Sequence, residues 1–244
     1  MKYLLTTTLI PLALLTACSG ADTSGNSAAP SKAEAVAAPT GSDWVVTVAQ
    51  TPEGGFVQGN PNAAVKLIEY GALTCSHCAE FSKASAEPLK ALIAKGTVSY
   101  EFRNFLLNVM DVPSALLARC GGAGPFFQIT EQMFASQRDW AGKAQTITPA
   151  EQQAFASMTP LQTAATLATK LELDKFVQQR GVGAEKVKAC LSDQKALDAL
   201  GKITEEGQAQ FQITGTPTFI INGQVIRDAN TWESLEPKLK DAGA

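Results

Sequence analysis

The sequence has no excess of positive charge, few cysteines and a single histidine, and the shortages of charge and cysteine each remove a class of protein. Twenty Lys plus Arg against 23 Asp plus Glu leave a net charge of −3, which gives no basic footprint for nucleic acid. Five Cys in 244 residues are too dilute for a small disulfide knot that replaces a core. There is no internal repeat, and no apolar heptad between Ser19 and Ser42 that would build a dimerising stalk. What is present is apolar material: 45% of the residues are hydrophobic and 18% charged, enough to bury a core, so disorder does not describe the whole. The length fits one large domain, or one domain carrying an insertion. Five cysteines cannot all pair within one chain.

Lys2 is followed by a run rich in Leu, Thr and Ile, and Leu15-Thr16-Ala17 stands directly before Cys18. A positive start and a short apolar stretch read as a secretory signal over residues 1–17, too short for a spanning helix. Leu15-Thr16-Ala17-Cys18-Ser19 is similar to the bacterial lipobox, in which the cysteine is acylated and becomes the first residue of the mature protein. An ordinary signal peptide, cleaved elsewhere, is the alternative. Several acyl chains on Cys18 would exceed the two signals that stable anchoring needs. By resemblance to Gram-negative lipoproteins, Ser19 favours the outer membrane over the inner. Ser19 to Ser42 is almost wholly Ala, Ser, Gly, Thr and Pro, so residues 18–42 are expected to be a disordered tether with a reach of about 27 Å.

Trp44-Val45-Val46-Thr47-Val48 has strand composition and breaks at Pro52-Glu53-Gly54-Gly55. Gly59 to Asn62 reads as a turn, and Ala64 to Tyr70 as a second strand. Residues 76–94 carry Phe81, Ala84, Leu89 and Leu92 at near-helical spacing, with Pro88 as an expected kink. Thr97 to Phe105 alternates at period two and reads as a third strand. From about Val112 to Phe211 the signal is almost entirely helical, broken at Gly121-Gly122 and Gly181-Val182-Gly183, with boundaries at Pro149-Ala150-Glu151 and Ser192-Asp193. Strand character resumes at Thr218 to Ile221, turns at Asn222-Gly223 and returns through Gln224 to Ile226. A last helix covers roughly 230–240.

The chemistry-bearing motif is Cys75-Ser76-His77-Cys78, between the second strand and the first helix. A thiolate at a helix N-terminus is stabilised by unpaired amides and the positive end of the macrodipole, so its pKa falls and it attacks disulfides near neutral pH. The i, i+3 spacing brings Cys78 onto the same face, within reach of a disulfide to Cys75. Haem attachment would need a His after the second Cys, where Ala79 stands. Four-cysteine zinc binding by Cys75, Cys78, Cys120 and Cys190 would need the helical block to fold over the motif. A merely structural disulfide in a helix turn is disfavoured by the small strained ring and the strand-to-helix placement.

A strand leading through Cys75-Ser76-His77-Cys78 into a helix, a helical insertion, Gly215-Thr216-Pro217 entering a late strand, and the Asn222-Gly223 hairpin before a final helix together resemble the thioredoxin superfamily. Within it the chain resembles the DsbA family of exported thiol-disulfide oxidoreductases, over roughly residues 44–242. The resemblance implies an α/β thioredoxin fold: a first half at 43–108, a helical insertion at 109–210 between the βαβ and ββα halves, and a second half at 211–244. It implies Cys75 as nucleophile and Cys78 as resolving thiol. His77 would stabilise the thiolate. Ser76 stands where the best-known members have Pro, which leaves the potential open. Glu69 shares a strand face with Val65 and Leu67; pattern alone divides evenly between an exposed carboxylate and a buried acid. The resemblance makes it the proton acceptor for Cys78, with a pKa raised by burial. Thr216-Pro217 resembles a cis-proline loop that, with Gly215 and Ser76, would pair with a substrate peptide.

Cys120 and Cys190 are the pair left after the other three cysteines are assigned, and an oxidising compartment favours a structural disulfide between them. Two separate buried thiols are the alternative. The expectation is therefore a monomeric, lipid-anchored periplasmic oxidase that introduces disulfides into exported proteins. It needs no cofactor or metal and is reoxidised by a separate redox partner, which an outer-membrane anchor would make hard to meet. A reductase or isomerase is the closest rival, favoured by Thr before the proline and disfavoured by the missing stalk. A redox-inactive peptide-binding module or chaperone is disfavoured by the intact Cys pair.

Overall fold

Alternating apolar side chains in two segments build the centre of the molecule. Strand β3 (Val65–Gly71) buries Val65, Leu67 and Glu69 on one face, and the parallel strand β4 (Val98–Asn104) buries Val98 and Phe102 on the same side. Helix α1 (Ser76–Ala94) joins them, running unbroken through Pro88. The computed structural model describes residues 32–244; the expected signal at 1–17, Cys18 and the tether up to residue 31 lie outside the described residues. In the described part the sheet order is β1-β2-β4-β3-β5-β6, with β1 (Val48–Gln50) and β2 (Phe56–Gly59) hairpinned onto β4, and β5 (Thr218–Ile221) and β6 (Gln224–Ile226) on the side of β3. All pairings except β3 with β4 are antiparallel.

Between β4 and β5 run eight helices: α2 (Asp111–Arg119), α3 (Ala123–Ala135), α4 (Gln137–Gly142), α5 (Pro149–Phe155), α6 (Pro160–Lys170), α7 (Leu173–Gln178), α8 (Ala184–Cys190) and α9 (Gln194–Phe211). Local chemistry sets their starts: Thr148 caps α5 with Pro149 at its first position, and Asp193 caps α9 by accepting from Ala196 N. After the β5–β6 hairpin, α10 (Trp232–Asp241) closes the chain. Asn222 and Gly223 both take positive φ, 49° and 83°, as a two-residue hairpin turn requires. This is the thioredoxin fold with an inserted helical block.

Apolar packing covers both sheet faces. On one, α1 and α10 bury Phe81, Leu89, Ile93, Trp232, Leu235 and Leu239 against Val65, Leu67 and Phe219. Phe81 and Phe219 have ring centroids 4.5 Å apart, and each such fully buried side chain contributes about 1.5–3 kcal/mol. On the other, α2 and α9 pack Leu116, Leu200 and Ile203 against Tyr70 and Ile220. The approach is close at Gly207, where an added Cβ would lie 2.7 Å from the Tyr70 ring.

Two local expectations are corrected. Residues 44–46 form a 3-10 turn rather than a strand, capped by the Asp43 side chain accepting from Val45 N, and the first strand begins at Val48. The turn carries Trp44 into the core, where its Nε1 donates to Val36 O at 2.7 Å. The end of the expected tether also lies against the folded body. Ala33 N donates to Gly243 O and Val36 N to Lys95 O, so these amides supply donors to carbonyls just beyond the C-terminal ends of α10 and α1, of the kind that helix ends leave unpaired.

Candidate active site

Cys75 is the N-cap of α1, and its extended backbone (φ −78°, ψ 119°) turns the sulfur back over the first turn. There Cys75 Sγ accepts from Cys78 N at 3.3 Å and donates to Thr216 O at 3.2 Å. The Thr216-Pro217 bond is cis, and the Thr218 hydroxyl donates to Gly215 O at 2.7 Å, closing the loop that faces the cysteines. Both cysteines are free thiols; Cys75 is 9% exposed and Cys78 fully buried. Their acidities diverge. Cys75 is lowered from an ordinary 9.0 to about 6, chiefly by the adjacent Cys78 thiol; burial opposes this, and Thr216 and the amides of Cys78 and His77 reinforce it. Cys78 is pushed well up, first by burial and then by its bond to Cys75 and the charge of Glu69. One sulfur is prepared as a thiolate and leaving group, its neighbour as a thiol that needs a base.

Glu69 is buried, 1% exposed, on the sheet face beneath α1. Its Oε2 accepts from the Tyr100 hydroxyl at 2.6 Å, and its Oε1 has no partner among the described residues. Burial raises its pKa from 4.5 to about 8, the Tyr100 bond opposes, and the Cys75 charge adds to the rise. The even division that sequence pattern left is thus settled toward burial, because α1 and α3 cover that face of β3 and β4.

His77 points toward solvent beside Glu80. Its ring is 65% exposed, and its Nδ1 lies 3.4 Å from Glu80 Oε2. What His77 supplies to Cys75 is its backbone amide, a donor that any residue there except proline would provide. Ser76 is exposed at the first residue of α1, and the loop of Gly215, Thr216 and Pro217 meets the neighbouring Cys75 through Thr216 O.

Two positioning residues carried no sequence signal. Asp111, buried at the start of α2, accepts from Thr74 N at 2.9 Å, Thr74 Oγ1 at 2.9 Å, Leu107 N at 3.0 Å and Asn108 N at 3.1 Å. It fixes the turn that enters Cys75; burial raises its pKa against these donors. Gln137, from α4, donates through Nε2 to Leu73 O at 2.8 Å and Cys75 O at 2.9 Å. The helical block therefore grips the active-site loop directly. A third residue, Tyr100, sits on the strand read as alternating, but only the sheet register shows what it meets.

Cys120 and Cys190 are bonded to each other, with Cα atoms 5.8 Å apart, and so do not join Cys75 and Cys78 in a four-cysteine set. A family model described as thioredoxin matches residues 51–241. The chain belongs to the thioredoxin family. A curated relative from Rickettsia bellii, described provisionally as a protein-disulfide oxidoreductase, is 27% identical over 175 residues, covering 70% of this chain and 58% of its own length. One from Rickettsia conorii with the same description is 27% identical over 172 residues, 69% of this chain and 53% of its own. The chain thus spans little more than half the length of these curated relatives. Among solved structures, the protein-disulfide isomerase of Novosphingobium aromaticivorans matches with a TM-score of 0.72 and 29% identity over 75% of this chain and 94% of that one. The alpha-DsbA1 of Wolbachia pipientis matches with a TM-score of 0.61 and 20% identity over 77% and 89%, a likeness of fold. Among the described residues of this thioredoxin-family chain, no helix is long and apolar enough to cross a membrane.

Proposed function

We propose that the chain is an exported, lipid-anchored thiol-disulfide oxidoreductase whose Cys75/Cys78 pair oxidises thiols of exported polypeptides. The observation that carries the reading is the pairing of a Cys75 sulfur with a pKa of about 6 against the cis Thr216-Pro217 loop, above a buried acid. In turnover, a substrate thiolate attacks Cys75 of the disulfide form, and the Cys75–Cys78 bond breaks. Cys78 leaves with the electron pair and takes a proton from Glu69. A second substrate thiolate then attacks the substrate sulfur and releases Cys75 as the stabilised thiolate. Substrate loses two electrons, the protein pair gains them, and a separate disulfide-bearing partner must remove them. Export is supported by the signal pattern at 1–17, the Cys18 lipobox and the Cys120–Cys190 disulfide, a bond that persists in oxidising compartments.

A disulfide isomerase is the second reading, favoured by the name of the Novosphingobium neighbour and by Thr216 before the proline. The Cys75 acidity of about 6 also stands nearer to thioredoxin's value of about 7 than to the roughly 3.5 of DsbA. Equilibration with glutathione separates them. A potential near about −120 mV supports the oxidase, one near about −180 mV the isomerase, and one near about −270 mV a reductase in place of both.

A further inference from the structure

We propose that Tyr100 is a positioning residue for proton exchange at Cys78: by donating to Glu69 Oε2 it holds the carboxyl so that Oε1 is the oxygen that gives and receives the Cys78 proton. The proposal rests on the reading of Glu69 as the proton partner of Cys78, and adds the residue that fixes the atom and the pH range.

A carboxylate accepts at both oxygens, and a buried carboxylate without donors is strongly disfavoured. Here one oxygen is held at 2.6 Å by the Tyr100 phenol, the other is buried with no partner among the described residues, and no cation pairs with the group among them. Protonation of Oε2 would weaken the bond it accepts from Tyr100, so the bare Oε1 is the favoured proton site. Space around it is kept by Gly71, where an added Cβ would lie 2.9 Å from Oε1 and 2.5 Å from the Phe102 ring. Tyr100 is set by its place on β4 opposite Leu67 of β3 and by packing on Phe127 of α3, centroids 5.5 Å apart. Burial and the adjacent Glu69 keep the phenol protonated well past its ordinary range, so it remains a donor and does not become the base. The titratable groups that act on the pair are Cys75 and Cys78 from α1 and Glu131 from α3; Glu131 in turn feels Lys90, which favours its charged form, and Glu87, which opposes it, both from α1. A donor on the ionised carboxyl opposes the effect of burial, leaving Glu69 near enough to neutrality to exchange a proton on each turnover.

When Cys78 attacks a mixed disulfide on Cys75, its S–H bond breaks and the proton passes to Glu69 Oε1. The sulfur electron pair forms the Cys75–Cys78 bond, and the thiolate displaced from Cys75 departs with the electrons of the broken bond. The test follows this ring closure in single turnover. The reduced protein is mixed with oxidised glutathione, acid-quenched, and the Cys75–glutathione adduct quantified by mass across pH. Tyr100→Phe is expected to move the midpoint of the closure rate up by about one pH unit and to slow closure several-fold near neutrality. Adduct formation, which depends on the Cys75 thiolate, should change far less. In a Glu69→Gln background the Tyr100→Phe change should do nothing more to the profile. A fluorinated tyrosine at position 100, a stronger donor of nearly the same shape, should move the midpoint down; this arm decides the matter if Tyr100→Phe fails to fold. If Glu69→Gln alters the profile but neither Tyr100 replacement does, the Tyr100 assignment falls and Glu69 stands. If Glu69→Gln leaves the profile unchanged, the proton-partner reading falls and takes this one with it.

Discussion

The acidity of Cys75 fixes how the redox potential of the pair must vary with pH. With Cys75 at about 6 and Cys78 far above, reduction binds two protons below about pH 6 and one above it. The potential should therefore fall by about 59 mV per pH unit on the acid side and by about 30 mV per unit on the alkaline side. An ordinary dithiol keeps the steeper slope to about pH 9. The sign follows from linkage: a depressed thiol pKa favours the reduced folded form at pH above it, and the advantage disappears as pH falls through about 6. At about pH 7 the advantage over an ordinary thiol is roughly tenfold, or about 30 mV and about 1.4 kcal/mol, rising to about 80 mV at about pH 9. Against thioredoxin's thiol pKa of about 7 the gain near neutrality is only about 22 mV, roughly a seventh of the roughly 150 mV between thioredoxin and DsbA. Equilibration with glutathione across pH, with acid quench, alkylation and mass readout, measures the slope. The Cys75 thiolate also raises the Glu69 pKa, so reduction draws part of a proton onto Glu69 and steepens the curve near about pH 8; Glu69→Gln removes that contribution. A slope of about 59 mV persisting between about pH 6.5 and 8.5 in Glu69→Gln would refute the account of Cys75 given by its amide and thiol donors.

Glu69→Gln should also stabilise the fold in a pH-dependent way. An acid raised by burial from 4.5 to about 8 opposes folding increasingly as pH climbs between those values, so the gain is about 3 kcal/mol near pH 7 and vanishes near pH 4; equal urea midpoints for variant and parent at both pH values would contradict it. Removing the 70-residue Cys120–Cys190 bridge by Cys120→Ala with Cys190→Ala should cost about 4 kcal/mol and lower the melting temperature while Cys75 alkylation keeps its rate; lost activity at an unchanged melting temperature would overturn the structural role. Gln137→Leu leaves the carbonyls of Leu73 and Cys75 without their donor, with a stability loss of about 1–3 kcal/mol and faster hydrogen exchange in the loop before α1; unchanged exchange would mean that the helical block does not brace the site. His77→Ala should move the Cys75 pKa by less than about one unit, since an exposed charge at this range contributes at most about 1 kcal/mol and the amide stays; a larger change in the thiolate absorbance titration would show that the ring reaches the sulfur.

Much of this molecule is encoded within short windows of sequence. The period-3.6 pattern over residues 76–94 marks α1 to the residue, the alternation from Thr97 marks β4, and Asn222-Gly223 marks its hairpin, because each depends on side chains within a few positions of one another. The placement of Cys75 and Cys78 at a helix start is legible for the same reason. Strand β2 is not: four residues ending in glycine become an inner strand between β1 and β4, and β4, about forty positions on, is beyond any local window. Residues 44–46 have strand composition, yet Trp44 is turned inward by a pocket that α1 and α10 create. Whether Glu69 faced water or the core could not be read from its alternation, since alternation defines a face and only the helices packed on it decide which is dry. The acidity of Cys75 depends in part on Thr216, 141 positions away, and that of Glu69 on Tyr100, 31 away. The sequence by itself determined which atoms are candidates to react, because a sulfur is a sulfur wherever the chain puts it. The tertiary structure decided how they react, because a pKa is set by donors, charges and dryness that distant segments bring together.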